Sequence, residues 1–305
     1  MTDAPDDTEG AAVPSVAQAL DERERLVGTA FRLLGTVADA EDAVQEAYAR
    51  WFRMSDAEQA QVRNPGAWLT TVTGRICLDV LGSARARRER YVGPWLPEPR
   101  PSAAVAAAAP APDPADRVTL DDEVTSAVMV VLDSLTPAER VAFVLHDVFG
   151  LSFAEVAEVV GRTPQACRTL ASAARRDVRA RKQRAGSRAD HDRVVEAFLA
   201  ACATGDLQTL LPLLDPDVAL HSDGGGVVRA ARNVVRGADR VGRFVLGLLA
   251  KDPSLTPSVE DVEGRSALLL RRGGDVAAVV TFGTGHGLLS EIWIVLNPHK
   301  LTAWR

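Results

Sequence analysis

Apolar residues recur along this chain at two spacings, and the change from one to the other divides it. Over residues 16–90 the period is helical. Leu20, Leu26, Ala30, Leu33 and Leu34 share a face, a turn falls at Gly35, and Val44, Tyr48, Trp51 and Phe52 give the helix over 39–54 an apolar side. Its opposite side carries Asp39, Asp42, Gln45, Glu46 and Arg53, which by itself is a solvated face. A polar loop over 55–64 is predicted to lead into a third helix that Pro65 and Trp68 open, that runs through Leu81 and that ends in the arginine-rich stretch 83–90. Beyond Pro216 alternation takes over: Val218 and Leu220 alternate, 238–249 is helical again, and 259–296 reads as strands separated by Glu263-Gly264, Gly273-Gly274 and the glycine-rich 283–287.

Between these regions, residues 151–178 predict two helices joined by a tight turn. Phe153, Val156, Val159 and Val160 form the stripe of the first, Gly161 ends it, and Thr163 with Pro164 restarts the chain as N-cap and first helical residue. The second helix directs Cys167, Leu170, Ala171 and Ala174 inward and carries Gln165, Arg168, Thr169, Ser172, Arg175 and Arg176 on or near one face. This is a helix-turn-helix whose polar face suits a DNA major groove and whose arginines suit phosphate; an ordinary helical hairpin with a basic face is the plainer alternative. The formal charge of −6 does not oppose nucleic acid, because residues 168–188 hold eight basic residues against one acid.

Residues 1–15 are expected to be disordered and 91–116 to form an extended Pro/Ala-rich linker. Cys77, Cys167 and Cys202 are too scattered for a zinc site or a disulfide framework, and neither a signal peptide nor a membrane-length apolar run is present, so a cytoplasmic protein without a metal is the simplest expectation. In the C-terminal part, from 190 to 305, His221, Asp223, His286 and Glu291 are candidate pocket groups, but this part contains no tyrosine for an oxyanion site built from a tyrosine and an acid.

Three motifs in order, DAEDAVQEAY, NPGAWL with its following LD, and LTPAERVAF through GLSFAEVA to GRTP, resemble the σ2 and σ4 domains of extracytoplasmic-function sigma factors. The linker sequence YVGPWLPEP and the DGGG at 223–226 further resemble the subgroup with a C-terminal SnoaL-like (NTF2-like) domain. The resemblance implies two all-α domains, a σ2 bundle over 16–90 and a σ4 helix-turn-helix over 117–185, followed by an α+β NTF2-like cone over 190–305. It also implies a non-enzymatic protein with no cofactor.

By the same resemblance Asp42, Gln45 and Glu46 dock on the clamp helices of the largest polymerase subunit, and σ4 meets the flap of the second largest. Asn64, Trp68, Arg75, Arg85, Arg87 and Arg88 belong to the −10 surface, although Trp68 taken singly is more often a core residue. Gln165, Arg168, Thr169, Ser172, Arg175 and Arg176 belong to the −35 helix. Trp95, Leu96 and Pro97 are expected to dock against Asp223, Gly224, Gly225 and Gly226. Gly74 and Arg75 depart from the Arg-Asn pair of many members. A second class stays open on residues alone: a pocket enzyme or small-molecule sensor that has acquired a DNA-binding arm, its ligand unknown.

Overall fold

The computed structural model describes residues 16–88, 93–102, 132, 135–184 and 187–304, with side chains over 22–83, 93–102, 132, 135–180 and 187–304. The expectation of disorder over 1–15 falls outside these residues. The N-terminal unit is four helices: α1 Val16–Leu34, α2 Val37–Arg53, α3 Asp56–Gln61 and α4 Pro65–Arg88. α2 starts two residues earlier than its sequence pattern because Thr36 caps it, accepting from the Asp39 amide. The stretch expected as a polar loop holds α3, nucleated by a reciprocal capping box between Ser55 and Glu58. Phe52 departs from its predicted inward position and is 73% exposed, its ring stacked against Tyr48 at 6.4 Å.

The helix-turn-helix unit comprises α5 Pro137–Phe143, continued by a π-helical turn over 144–148, then α6 Phe153–Val160 and α7 Pro164–Arg184. Capping boxes start α5 at Thr136 with Glu139 and α6 at Ser152 with Glu155. Gly161 ends α6 at φ 69°, the left-handed conformation that makes the turn to α7 short. The two helical units are not separate bodies. Leu26, Val72, Ile76 and Cys77 of the first share one buried cluster with Leu145, Val156 and Val159 of the second.

The C-terminal domain packs α8 Arg188–Thr204, the short α9 Leu207–Leu210 and α10 Ala238–Lys251 with a six-stranded sheet. The strands are β1 Leu214–Asp223, β2 Val235–Arg236, β3 Leu255–Val262, β4 Arg265–Arg272, β5 Asp275–Gly285 and β6 Leu288–Val295, in the order β2-β1-β6-β5-β4-β3. β3 to β6 form the antiparallel meander that the glycine spacing predicts, while β1 lies parallel to β6 and makes the sheet mixed. Period-two alternation sends Val218, Leu220, Val280, Ile292 and Ile294 into a cluster with α8 and α10, and Val279, Trp293 and Val295 into a second cluster on the other face. Leu96 belongs to that second cluster, 3% exposed, so the segment expected as an extended linker is docked where it is described.

Candidate functional site

The outer face of α7 is a row of exposed polar side chains: Gln165, Arg168, Thr169, Ser172 and Arg176. The Arg168 guanidinium lies 5.1 Å over the Phe153 ring, and its Nη1 donates to Gln165 Oε1 at 2.8 Å, which holds it outward in a fixed pose. The Thr169 and Ser172 hydroxyls donate to backbone carbonyls four residues back. Arg175 departs from the row. Its Nε donates to Asp147 Oδ1 at 2.6 Å, tying α7 to the π-helical turn, and that hydrogen bond raises its pKa.

The −10 candidates meet a different environment. Asn64 caps α4, its Oδ1 accepting from the Ala67 amide at 3.0 Å. Trp68 is half-buried with its ring edge-on to Trp51 at 5.2 Å, the packing role that residue statistics favour. Arg75 is exposed, yet its Nη2 donates to the Glu158 carbonyl of α6 at 3.0 Å. Asn64, Trp68 and Arg75 line one cleft of about 560 Å³, and α6 closes it with Glu155 and Glu158. Gly74 permits this approach: a Cβ there would lie 2.9 Å from Val159 Cγ1. The side chains of Arg85, Arg87 and Arg88 lie outside the described residues.

On α2, Asp42 and Gln45 are exposed. Glu46 is paired with Arg50 at 2.8 Å and Arg53 at 3.3 Å, and the Arg50 hydrogen bond leads in lowering its pKa.

The described linker, residues 93–102, is held on two sides. Toward α1 and α2, Trp95 covers Gly35, where a Cβ would meet the indole at 2.7 Å and where the φ of 83° is one that side-chain-bearing residues rarely adopt. Glu98 N donates to the Gly35 carbonyl at 2.9 Å, its carboxylate accepts from the Val37 amide at 3.0 Å, and Arg100 sits 5.0 Å over Phe31. Toward the sheet, the fully buried Asp223 accepts from the Leu96 amide at 2.9 Å and from Lys300 Nζ at 2.8 Å. Lys300 also donates to the Leu96 carbonyl and lies 4.0 Å over the Trp95 ring.

Pro97 is buried between the two sides, and Trp304 Nε1 donates to the Pro99 carbonyl at 2.8 Å. Gly224, Gly225 and Gly226 form the turn after Asp223. The Gly225 amide donates to Asp223 Oδ1 at 2.9 Å, and a Cβ on Gly225 would come within 2.5 Å of the Asn297 side chain. Glu98 stands inside the YVGPWLPEP motif and Lys300 inside Asn297-Pro298-His299-Lys300-Leu301, but sequence reading gave neither side chain a role.

The alternation of β1 and β6 decides where the four candidate pocket groups lie. His221 and Glu291 lie 3.3 Å apart, but they share the linker side of the sheet with Asp223, opposite the face that packs on α8 and α10. His286 is exposed in the β5–β6 turn. None of these four candidate groups therefore faces the interior between sheet and helices. Among the described residues no group of His, Cys, Asp and Glu is arranged to hold a metal, and no helix is long and apolar enough to cross a membrane.

A four-helix unit, a helix-turn-helix and an α+β domain in this order match three families: Sigma-70 region 2 over residues 20–88, Sigma-70, region 4 over 125–178, and SnoaL-like domain over 195–296. These define a sigma factor, a non-catalytic subunit that directs RNA polymerase to promoters, with a fused regulatory C-terminal domain. Within that class the chain belongs to the extracytoplasmic-function (ECF) RNA polymerase sigma factors. It is 41% identical over 299 residues to the ECF sigma factor SigJ of Mycobacterium tuberculosis, covering 92% of this chain and 91% of that protein. It is 39% identical over 286 residues to the probable ECF sigma factor SigI of the same species, covering 93% of each. The crystal structure of M. tuberculosis SigJ superposes with a TM-score of 0.70 at 37% identity, over 95% of this chain and 99% of that one.

Proposed function

We propose that this sigma factor is held in a closed form in which the −35 helix is presented and the −10 surface is covered. The observation that carries the reading is the contrast between the exposed row on α7 and the bond from Arg75 to the Glu158 carbonyl. In this reading Gln165, Arg168, Thr169, Ser172 and Arg176 read the −35 element, while Arg175 supports the helix from behind. Asn64, Trp68 and Arg75 serve the −10 element once α6 moves away. The two elements are about 25 base pairs apart, roughly 85 Å at about 3.4 Å per pair. Domains that share one core cannot span that distance, so promoter binding separates them.

Asp42, Gln45 and Glu46 face the clamp helices of the largest polymerase subunit, and σ4 faces the flap of the second largest. Arg50 and Arg53 compete for Glu46, which leaves Asp42 and Gln45 as the freer contacts. The linker, gripped by Asp223 and Lys300, lets the SnoaL-like domain set the balance between closed and open forms.

The test is transcription from a cognate promoter with purified core polymerase. Core alone fails to initiate, wild type confers initiation, and a protein carrying both Asp42→Arg and Glu46→Arg loses core binding by at least about tenfold. Core binding by that double variant at wild-type affinity would remove the docking assignment.

A further inference from the structure

Arginines of the C-terminal domain fall into two groups. Arg188, Arg193 and Arg271 pair with Asp261 at 2.7 Å, Asp190 at 3.1 Å and Glu260 at 2.9 Å, and Arg272 pairs with Asp252. Arg229, Arg232, Arg236 and Arg240 are exposed, and among the described residues their guanidinium groups have no ion-pair or hydrogen-bond partner. Residues 224–243 hold five arginines, no lysine and one acid, Asp239, which Arg243 takes at 2.9 Å.

The fold gathers the four at one edge of the sheet. Arg229 and Arg232 stand on the loop between β1 and β2, Arg236 ends β2, the outermost strand on that side, and Arg240 lies in the first turn of α10. The loop is tied to β1, since the Ala231 amide donates to Ser222 Oγ at 2.8 Å and the Gly237 amide to the Val218 carbonyl at 2.9 Å. A cation in the first turn of a helix is opposed by the helix dipole, so Arg240 gains nothing from its own helix.

This edge adjoins α4. A Cβ on Gly93 would lie 3.3 Å from the Ala231 carbonyl oxygen and 3.7 Å from Arg232 Cα. Gly93 follows the end of α4 at Arg88 by five positions, at most about 18 Å of extended chain. A duplex at the end of α4 therefore passes beside the arginines. It presents one phosphate charge per about 1.7 Å of axis, and planar guanidinium forks match phosphate oxygens in pairs.

We propose that Arg229, Arg232, Arg236 and Arg240 hold phosphates of the promoter duplex beside the −10 element without reading its bases. The proposal rests on the assignment of α4 to that element.

The test measures binding of holoenzyme, reconstituted from core polymerase and the full chain, to a fluorescent promoter fragment over a range of salt. Arg229→Gln, Arg232→Gln, Arg236→Gln and Arg240→Gln together should weaken binding at least about tenfold near 0.15 M salt and flatten the slope of log K against log salt by about 3 to 4. Each single replacement should flatten it by about 1, which decides the matter even if the fourfold variant does not fold. Removing the paired arginines by Arg193→Gln, Arg271→Gln and Arg272→Gln should leave the slope unchanged. The fourfold loss of charge should act equally on a fragment with a scrambled −10 element. Scrambling that leaves wild-type binding unchanged would remove the α4 assignment instead, so the two failures are distinct. The proposal is overturned by an unchanged slope, by a control that flattens it as much, or by a loss confined to the intact −10 element. Variants that lose affinity for core polymerase and keep promoter affinity once bound also overturn it, because the arginines would then face an acidic protein surface.

Discussion

The two surfaces proposed to read DNA are built from similar material and presented in opposite ways. α7 sets its polar row toward solvent, with Arg168 pinned by Phe153 and Gln165. α4 sets Asn64, Trp68 and Arg75 into a cleft that α6 closes with two glutamates. The difference lies in what packs behind each helix. Small inward residues, Cys167, Ala171 and Ala174, seat α7 on its own unit, whereas Gly74 leaves a flat place on α4 that a second unit fills with Val159. Whether a reading surface is available therefore depends on a contact between domains as much as on its own sequence, and that contact can be broken from either side.

The largest effect is expected from the linker side. Lys300→Met leaves Asp223 buried with its charge uncompensated, at a cost of about 3–5 kcal/mol. Denaturant unfolding should show the loss, and combining Lys300→Met with Asp223→Asn should cost less than the two single changes added together. Additive losses would mean that the two groups do not act as a pair.

The opposite side of the comparison is broken by Gly74→Arg. The new side chain has Val159 and Leu145 in its way, and overpacking of this kind costs roughly 1–3 kcal/mol of closed-form stability. The expected outcome is a larger radius of gyration by small-angle X-ray scattering and tighter binding of single-stranded −10 DNA, with duplex −35 binding unchanged. A protein that stays as compact as wild type would show that α4 and α6 accommodate the arginine, and the coverage argument would fail.

Arg168→Ala and Arg175→Ala sharpen the contrast within α7. A base contact by Arg168 is worth about 1–3 kcal/mol of −35 affinity with relaxed preference at one position, and a phosphate contact would instead weaken all sequences alike and lower the salt slope. Arg175→Ala should act on thermal stability, because its partner is Asp147 and not solvent. If Arg175→Ala lost as much DNA affinity as Arg168→Ala with no change in Tm, the division of roles would be reversed.

What could be read beforehand, and what could not, follows the range of the interactions. The Thr163 cap with Pro164, the Gly161 turn and the strand alternation are local, so their residues announce them, whereas the capping boxes at Ser152 and Thr136 went unread. The same locality let α3 go unread, because six residues with one capping box carry too short a period to stand out. Trp95 and Leu96 were conspicuous as apolar residues among prolines, but the groups that grip them are about 130 and 200 positions away, and no spacing links Lys300 to Leu96. His221, Asp223 and Glu291 were legible as chemistry but not as geometry: being polar does not say which side of a sheet a residue takes, and the apolar partners on β1 and β6 decide it.

The smallest expected effect concerns Glu98, where linker meets σ2. Burial raises its pKa above the ordinary 4.5 against the downward pull of the Val37 amide, Arg100 and Lys300, with Glu41 adding to the rise. The docked form therefore holds the Glu98 proton more tightly than the undocked form does. The carboxyl's contribution to docking is complete below pH 4.5 and is lost as pH climbs through the raised value, so the linker grips more firmly in mild acid than at neutrality. His191 works in the opposite sense, because burial lowers its pKa and acidification penalises the folded form. That term is common to wild type and Glu98→Gln, so their difference isolates Glu98. The measurement is the hydrogen-exchange protection of the Leu96 and Glu98 amides, whose acceptors are Asp223 and the Gly35 carbonyl. Protection in wild type should decline from pH 4.5 to neutrality relative to Glu98→Gln. Parallel profiles in the two proteins would mean that Glu98 stays ionised in the docked linker, and that acid does not tighten the contact from the σ2 side.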